Sequence, residues 1–232
     1  MTYKNLKKPF IISLPIALGY IPLGIVCGML LNNAGLNPYS VVAMSFLVFA
    51  GSSQFVAASM LAHGATLIAI VVTTFIINLR QLIYSSSLAN HLTEKNPLKI
   101  IAFSQFITDE TFAINSRQYN DASWSDTDAT LLGLFSNLHW VIGNLIGALF
   151  GKYLGIPTGV AGFALTAMFI ALLALQIRQK SDVRLCVIGA FSAIAVYSFN
   201  QSGFSIIIST AISVLIAAFI DNLTGKAEVD DE

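Results

Sequence analysis

The chain alternates long apolar runs with short polar breaks. Most of the runs approach the ~20 residues that a membrane-spanning helix needs. The pattern predicts an all-α polytopic membrane protein, a bundle of about eight transmembrane helices with one or more interrupted helices. The eight apolar segments lie at about 10–31, 40–62, 65–89, 98–118, 129–150, 159–177, 184–200 and 204–220.

The composition agrees with a membrane protein. Of the 232 residues, 56% are hydrophobic and only 10% are charged, with 12 basic and 12 acidic side chains. The net charge of zero gives no indication of nucleic-acid binding. We predict one transmembrane domain over residues 10–220, preceded by a cytoplasmic segment, 1–9, and followed by an acidic cytoplasmic tail, 221–232.

Basic residues in the polar breaks predict the orientation, because cytoplasmic loops are enriched in Lys and Arg. With eight spans and a cytoplasmic N-terminus, the outer side of the membrane holds Lys95, Lys99 and Lys152. The bias predicts that both termini are cytoplasmic in a multi-pass protein of the cell membrane. It depends on segment 65–89 being a complete span rather than a re-entrant loop. The cytoplasmic side would hold eight basic residues, Lys4, Lys7, Lys8, Arg117, Arg178, Lys180, Arg184 and Lys226.

Three ionisable residues, Arg80, Asp109 and Glu110, lie inside apolar segments. A charge at the centre of a bilayer costs roughly 3 kcal/mol or more, so such residues usually face a cavity or a partner. Arg80 lies about 12 Å from the end of its segment and Asp109 about 16 Å from the end of the next, at ~1.5 Å per residue. Because these segments are consecutive and antiparallel, we expect the two charges to meet, either as a neutralising ion pair or as a site for a substrate or a proton.

Asp109 and Glu110 are adjacent, so on a continuous helix they point about 100° apart. On such a helix Glu110 lies with Phe106 and Ile114, and apolar surroundings raise the pKa of a carboxyl group. Glu110 is therefore a candidate proton carrier. The alternative is that Glu110 pairs with Arg80 while Asp109 titrates.

Two segments contain polar stretches that indicate packing or unwinding. Segment 40–62 carries residues 51–54 near its centre, while Ser45, Ser52 and Ser59 recur every seven residues, which is typical of a helix-packing seam. The alternative is a break whose free backbone groups and Gln54 side chain line a solute site. In segment 65–89 the polar stretch 78–87 predicts local unwinding.

Glycine pairs spaced four apart, Gly24 with Gly28 and Gly143 with Gly147, permit close helix packing. Gly35 and Pro38 follow the first pair at a spacing similar to that of Gly155 and Pro157 after the second, which indicates either a parallel internal repeat or chance similarity.

The remaining polar residues within segments give weaker indications. His139 is either a hydrogen-bonded structural residue or a proton relay, and Cys27 and Cys186 are expected to be inert buried thiols. We expect no metal and no cofactor. A P-loop motif is absent from the sequence, so transport would draw on an ion gradient or on the gradient of the solute.

Four motifs occur in order along the chain, followed by Trp140, Gly143 and Gly147. Together they resemble the AzlC-type family of branched-chain amino acid exporters over about residues 10–175. The resemblance implies a secondary transporter rather than an enzyme, which exports leucine, isoleucine, valine and their analogues and is driven by the proton gradient. It also implies a small AzlD-type membrane subunit as partner. The motifs are Gly19-Tyr20-Ile21-Pro22-Leu23-Gly24, Phe49-Ala50-Gly51-Ser52-Ser53-Gln54-Phe55, Asn78-Leu79-Arg80-Gln81-Leu82-Ile83-Tyr84 and Thr108-Asp109-Glu110-Thr111-Phe112-Ala113.

The chain departs from the family at Gln81, where a histidine often follows the arginine. If that histidine handles protons in other members, this chain must do so differently, and its choice of substrate is less firmly implied.

The residues and the resemblance together suggest a candidate site. An amino acid needs a cation for its carboxylate, which Arg80 is expected to supply, and an anion for its ammonium, which Asp109 is expected to supply. Glu110 and Asp109 are the candidate proton-coupling residues, and Phe49, Phe55 and Phe112 are candidate walls of an apolar pocket. The candidate substrate-binding residues are Gly51, Ser52, Ser53, Gln54, Asn78, Arg80, Thr108 and Asp109.

Three other functions stay open at this stage. The chain could be an importer or a channel for another small zwitterion. It could be an intramembrane enzyme that uses Asp109, although no partner aspartate lies in another segment. It could also be a structural membrane subunit whose buried charges form an inert salt bridge.

Overall fold

A computed structural model describes residues 3–119, 124–151 and 153, scattered positions from 163 to 177, and residues 180–199, 208–209 and 211–220. The chain divides into two compact units, Met1–Thr166 and Ala167–Glu232. In the second unit the described helices are Lys180–Phe199 and Ala211–Ile220. The first unit contains α1 (Tyr3–Asn33), α2 (Pro38–Val48), α3 (Gly51–Ala62), α4 (Leu67–Ala89), α5 (Pro97–Gln105), α6 (Asp109–Gln118) and α7 (Asp126–Phe150).

The predicted all-α class with interrupted helices is confirmed, and the described residues contain no β-strand. The predicted division by membrane location, 1–9, 10–220 and 221–232, stays a prediction, since the tail lies outside the described residues. Among the described helices, α1, α4 and α7 are long and apolar enough to cross a membrane.

The helices α1 and α7 run parallel to each other. At one end the Lys8 ammonium lies 5.3 Å from the centre of the Trp124 ring, and at the other end Gly147 faces Ile25. We call the membrane face at which α1 and α7 begin face A, and the face at which α1 ends, at Asn33, face B.

The two glycine pairs pack against each other across the α1–α7 interface. A Cβ on Gly143 would lie 2.6 Å from the carbonyl oxygen of Ile21, and a Cβ on Gly24 would lie 3.1 Å from the Cα of Gly143. Only glycine allows the two backbones to approach this closely. The predicted close packing is therefore confirmed. The rest of the predicted parallel repeat, Gly155 and Pro157, lies outside the described residues.

The segment 98–118, which we predicted to be a complete span, is instead a helical hairpin that enters and leaves at face A. The Asp126 carboxylate at the start of α7 accepts hydrogen bonds from the backbone N–H groups of Thr93 and Glu94, just before α5. The ring of His91 stacks on Tyr119, just after α6, with centres 5.3 Å apart. Both ends of the α5–α6 hairpin thus lie beside the end of α4.

Segment 40–62 forms a second hairpin, which opens at face B. The Gln54 side chain donates to the Ser45 hydroxyl at 3.3 Å, although nine residues of continuous helix would separate the two by about 14 Å. The reversal occurs at Phe49 and Ala50, where Phe49 adopts a left-handed conformation with φ 40° and ψ 50°. Because α4 ends at face A and therefore begins at face B, both ends of the α2–α3 hairpin lie at face B.

Local sequence explains where these helices begin. Asn37 and Asn96 cap α2 and α5 and are each followed by proline, which has the fixed φ suited to a first helical turn. Thr66 and Ser125 cap α4 and α7. The caps mark the start of each hairpin and of the span that follows it.

The predicted unwinding of 78–87 is wrong, because α4 is helical throughout. Two of its polar side chains bond to other elements, Arg80 to Ser52 and Tyr84 to Asp109, while Ser86 bonds to the Leu82 carbonyl of its own helix. These tertiary partners remove the competition that polar side chains can offer to helical hydrogen bonds.

Candidate functional site

The tips of the two hairpins meet in the interior of the first unit. The ring centres of Phe49 and Phe106 lie 6.3 Å apart, and the Gln105 amide donates to the carbonyl of Leu47 at 2.5 Å. A hairpin from each face therefore reaches the same depth, next to Arg80 of α4.

Arg80 joins the two hairpins electrostatically. One of its terminal nitrogens lies 2.7 Å from the Ser52 hydroxyl of α3 and 3.0 Å from the Asp109 carboxylate of α6. Tyr84, one turn along α4, donates to the other oxygen of Asp109 at 2.9 Å. The predicted meeting of Arg80 and Asp109 is thus confirmed.

The ion pair is partly exposed. The side chains of Arg80 and Asp109 are 26% and 19% exposed, while the Nε of Arg80 is buried and has no hydrogen-bond partner. A guanidinium has five N–H donors in a planar fork, so Arg80 keeps capacity for a carboxylate in addition to Asp109.

Glu110 lies in a different environment from its neighbour. It accepts a hydrogen bond from the Tyr20 hydroxyl of α1 at 2.5 Å, and no salt bridge to it occurs within the described residues. The prediction that Glu110 shares a helical face with Phe106 is wrong, because the helix breaks at residues 106–108, whereas Ile114 lies one turn after Glu110 on α6 as predicted. Both acids lie in the first turn of α6, where the helix dipole favours negative charge.

Thr108 caps α6. Its hydroxyl accepts from the backbone N–H of Thr111, while the Thr111 hydroxyl accepts from the N–H of Thr108 at 2.7 Å, which is a reciprocal capping box. The Thr108 hydroxyl also lies 2.9 Å from that of Tyr20. Thr108 therefore fixes the turn that positions Asp109 and Glu110.

Gln54 and Ser53 brace the α2–α3 hairpin. The fully buried Gln54 amide donates to Ser45 and accepts from the indole N–H of Trp140, and Ser53 donates to the Ala50 carbonyl. Both side chains are fully buried, so neither faces a solute in this structure. Gly51 packs on Trp140, where an added Cβ would lie 3.2 Å from the indole ring.

Asn78 is not brought to the ion pair. It lies two positions before Arg80, so the two side chains leave α4 about 200° apart. The carboxamide oxygen of Asn78 is buried and has no hydrogen-bond partner.

Amide side chains from three other helices satisfy the end of α2. Asn137 of α7 donates to the carbonyls of Ser45 and Phe46, Gln105 of α5 donates to Leu47, and Gln81 of α4 donates to Phe49 at 3.4 Å. A helix can end at membrane depth only where protein or water satisfies its carbonyls. Gln81, at the position where the family often has histidine, thus has a structural partner here.

Sequence reasoning did not predict the hydrogen-bonding roles of four residues in this region. These residues are Tyr20, Tyr84, Asn137 and Trp140. Tyr20 and Tyr84 stood inside motifs that we identified, so motif membership was the available signal for them. His139 hydrogen-bonds with Ser13 at 3.1 Å, as predicted for a structural histidine.

A cavity of about 240 Å³ lies elsewhere in this unit, between α5 and α7 near face A. Its walls include Leu92, Phe103 and Leu131, and its rim carries the exposed Glu94–Lys99 ion pair at 2.6 Å. The hydrogen bond from Lys99 lowers the pKa of Glu94. The Arg80–Asp109 pair does not line this cavity.

Comparison with known proteins identifies the family. The AzlC protein family matches residues 15–154. The inner membrane protein YgaZ of Escherichia coli is 31% identical over 216 residues, covering 89% of this chain and 88% of YgaZ. The branched-chain amino acid transport protein AzlC of Bacillus subtilis is 33% identical over 172 residues, covering 72% and 65% of the two chains.

A membrane protein of Helicobacter pylori is 27% identical over 213 residues, covering 91% of this chain and 93% of its own. No solved structure matches the chain. The length of the family match and the identity to YgaZ show that this chain belongs to the AzlC family of membrane transport proteins.

Proposed function

We propose that this chain is the large subunit of a secondary transporter that exports branched-chain amino acids, coupled to protons. The observation that carries the proposal is the partly exposed Arg80–Asp109 pair at the meeting point of two hairpins that enter from opposite faces. The relative in Bacillus subtilis, whose name states branched-chain amino acid transport, supports the substrate class.

A zwitterion can exchange with the internal ion pair. In the empty site Arg80 and Asp109 neutralise each other. When an amino acid enters between them, its carboxylate binds Arg80 and its ammonium binds Asp109, so that one ion pair is replaced by two. No charge is left uncompensated in either state, which limits the desolvation penalty in a low-dielectric site.

The start of α3 provides a second group for the carboxylate. The residue before α3, Ala50, has no side chain that caps the helix. The first N–H groups, at Gly51 and Ser52, therefore point out of the helix end without an intrahelical acceptor, and a helix N-terminus favours an anion. Ser52 already contacts Arg80, so guanidinium, hydroxyl and helix end converge.

An aromatic ring next to the ion pair would contact the branched side chain. Phe112 stacks on Tyr84 with ring centres 4.6 Å apart, and Phe49 lies between Tyr20 and Phe106. Phe49 and Phe55 are both fully buried, and Phe55 packs next to Trp140. We therefore propose Phe112, whose ring is partly exposed, as the apolar contact.

Glu110 is the proposed proton carrier. It has no cationic partner within the described residues, whereas the adjacent Asp109 has Arg80. A proton on Glu110 would break no ion pair of the described residues, whereas a proton on Asp109 would break its pair with Arg80. Tyr20, which bonds to Glu110, would hold its carboxyl group near the substrate site.

The hairpins also sharpen the proposed orientation. With both ends of α5–α6 at face A, Lys95 and Lys99 move to the same face as Lys7, Lys8 and Arg117. The loops at face B, residues 34–37 and 63–66, contain no Lys or Arg. We therefore propose that face A is cytoplasmic. A small AzlD-type membrane subunit is the proposed partner, because the family resemblance implies it.

Efflux of leucine and resistance to a toxic leucine analogue, with and without the small subunit, would test the proposal. Replacing either charge, Arg80→Ala or Asp109→Asn, should reduce efflux about tenfold or more at equal membrane abundance, since hydrogen bonds to charged groups contribute about 1.5–3 kcal/mol each. Arg80→Lys should also impair efflux, because lysine lacks the planar fork for a carboxylate.

The matched control is Lys99→Ala, which removes a cation from an exposed ion pair outside the site and should leave efflux nearly normal. Normal efflux by Arg80→Ala or Asp109→Asn would refute the proposed roles. Counterflow in vesicles with a panel of zwitterions would separate a branched-chain exporter from an importer or channel for another solute.

A further inference from the structure

The first unit contains one arrangement twice: a helical hairpin followed by a span. The first copy is α2–α3 with α4, and the second is α5–α6 with α7. Corresponding residues are separated by 59 positions at three landmarks: Pro38 and Pro97 after the asparagine caps, Thr66 and Ser125 as caps of the spans, and Asn78 and Asn137 inside the spans.

The two copies have inverted topology. The first hairpin opens at face B and its span runs toward face A, whereas the second hairpin opens at face A and its span runs toward face B. Inverted repeats of this kind build many secondary transporters, with the substrate site at the repeat interface near the membrane centre. The Arg80–Asp109 pair joins one repeat to the other. This relation differs from the parallel repeat that the glycine spacing suggested.

The equivalent asparagines are in unequal states. Asn137 of α7 donates to the Ser45 and Phe46 carbonyls at the end of α2. The equivalent targets for Asn78 of α4 are the carbonyls of Ser104 and Gln105 at the end of α5. No such bond from Asn78 is seen in the described residues. The carboxamide oxygens of both asparagines are buried without a partner, so the difference lies in the donor side alone.

The packing of the spans shows the same inequality. α7 packs along α2, the first half of the other repeat's hairpin, whereas the equivalent pair, α4 and α5, makes only marginal contact at most. Two copies of one arrangement thus occupy two different states in one structure.

We propose that Asn78 and Asn137 are paired positioning residues that alternately hold the two hairpins during transport. In the structure described, Asn137 holds α2. In the alternate state Asn137 releases α2, and Asn78 donates to the carbonyls of Ser104 and Gln105 and holds α5. The exchange would open the Arg80–Asp109 site to one face and then to the other. The proposal rests on the proposed transport function only in that transport requires two such states.

Thiol reactivity can test this exchange without any substrate. In a background with Cys27→Ala and Cys186→Ala, the reporters are S45C on α2 and S104C on α5, each alone. The Ser45 side chain is fully buried and that of Ser104 is partly exposed. A small water-soluble thiol reagent should therefore label S104C faster than S45C in purified protein.

Asn137→Ala should raise the labelling rate of S45C and lower that of S104C, because the alternate state gains population. Asn78→Ala should do the opposite. The ratio of the S45C rate to the S104C rate should change about fivefold, which is the effect of about one buried hydrogen bond on a two-state ratio. The double variant should return both rates toward those of the parent.

The S104C reporter separates exchange from local loosening. If Asn137→Ala raises S45C labelling but leaves S104C unchanged, or if both rates rise together, the asymmetry is fixed and the proposal is wrong. Asn144→Ala is the matched control on α7, because Asn144 is also buried with an unpaired oxygen but donates within its own helix. It should not change the labelling rates of S45C and S104C in opposite directions. Since no substrate is present, failure of this test leaves the proposed substrate class untouched.

Discussion

The two hairpin tips solve the same physical problem in different ways. Each ends a helix at membrane depth, where backbone groups need partners. The α2–α3 tip is uncharged and buried, and side chains of other helices satisfy it, notably Asn137 and Gln105. The α5–α6 tip satisfies itself through the Thr108–Thr111 capping box and carries two carboxylates.

The difference makes the tips complementary. Because its start has no side-chain cap, α3 presents N–H groups and favours an anion. The start of α6 presents Asp109 and therefore favours a cation. A zwitterion between the tips would find one of each, with Arg80 bound to both. The two helix breaks are stabilised in different ways, and the groups that they present therefore suit the two charges of an amino acid.

The prediction with the largest expected effect concerns topology, namely that both ends of each hairpin lie on one side of the membrane. Single cysteines introduced by Asn33→Cys and Ala62→Cys should react with an impermeant thiol reagent from one side of the membrane. Those introduced by Lys95→Cys and Thr127→Cys should react only from the other side. The reason is that each pair flanks one hairpin. Labelling in oriented vesicles is the measurement.

If the segments 40–62 and 98–118 were complete spans, each pair would instead be divided between the two sides. That result would remove the inverted repeat and the meeting of the tips. In the background with Cys27→Ala and Cys186→Ala, the parent without a new cysteine is the control for unspecific labelling.

Much of the fold follows from apolar run length and residue spacing. Close helix packing at the two glycine pairs was predictable from their spacing of four, although not that the pairs face each other. The proximity of Arg80 and Asp109 was predictable from their similar depths in consecutive segments. The hairpins were not predictable in this way. Both segments are long enough to span, and the break residues Phe49 and Phe106 are apolar.

Tertiary contacts stabilise those helix breaks. Gln81, Gln105 and Asn137 are distant in sequence from the α2 carbonyls that they satisfy, so no local pattern reveals them. The repeated Asn-Pro pairs at 37–38 and 96–97 were the available signal for two equivalent hairpins. The same limit applies to predicting the candidate site from the sequence. Ser52 belonged to a recognised motif, whereas Tyr20 and Tyr84 acquire their roles only through contacts across helices.

A smaller effect on stability would distinguish the two ways in which the tips are stabilised. The α2–α3 tip depends on side chains of other helices, whereas the α5–α6 tip has its own helix cap. Gln54→Leu removes the partner of the buried Trp140 N–H and should destabilise the protein by about 2–3 kcal/mol. Thr108→Val removes a helix cap and should cost only about 1 kcal/mol. Thermal unfolding of the detergent-solubilised protein, followed by circular dichroism, would measure both.

Equal losses of stability, or a larger loss for Thr108→Val, would contradict the assignment of Gln54 as an external brace. Gln118→Leu, at the end of α6 and outside both tips, is the control for a glutamine replaced on a helix in the same unit.

The smallest effect concerns the Glu94–Lys99 pair at the mouth of the hairpin that opens at face A. Because the hydrogen bond from Lys99 lowers the pKa of Glu94 from 4.5, the pair stabilises the fold at neutral pH and loses this effect as the pH falls through the lowered pKa. Both groups are exposed to solvent, where salt bridges contribute little. Glu94→Gln should therefore change the melting temperature barely at pH 7 and not at all at a pH below the lowered pKa of Glu94, where the parent carboxylate is protonated. A large loss at pH 7 would mean that the rim of the hairpin, and not its tip, holds α5–α6 in place.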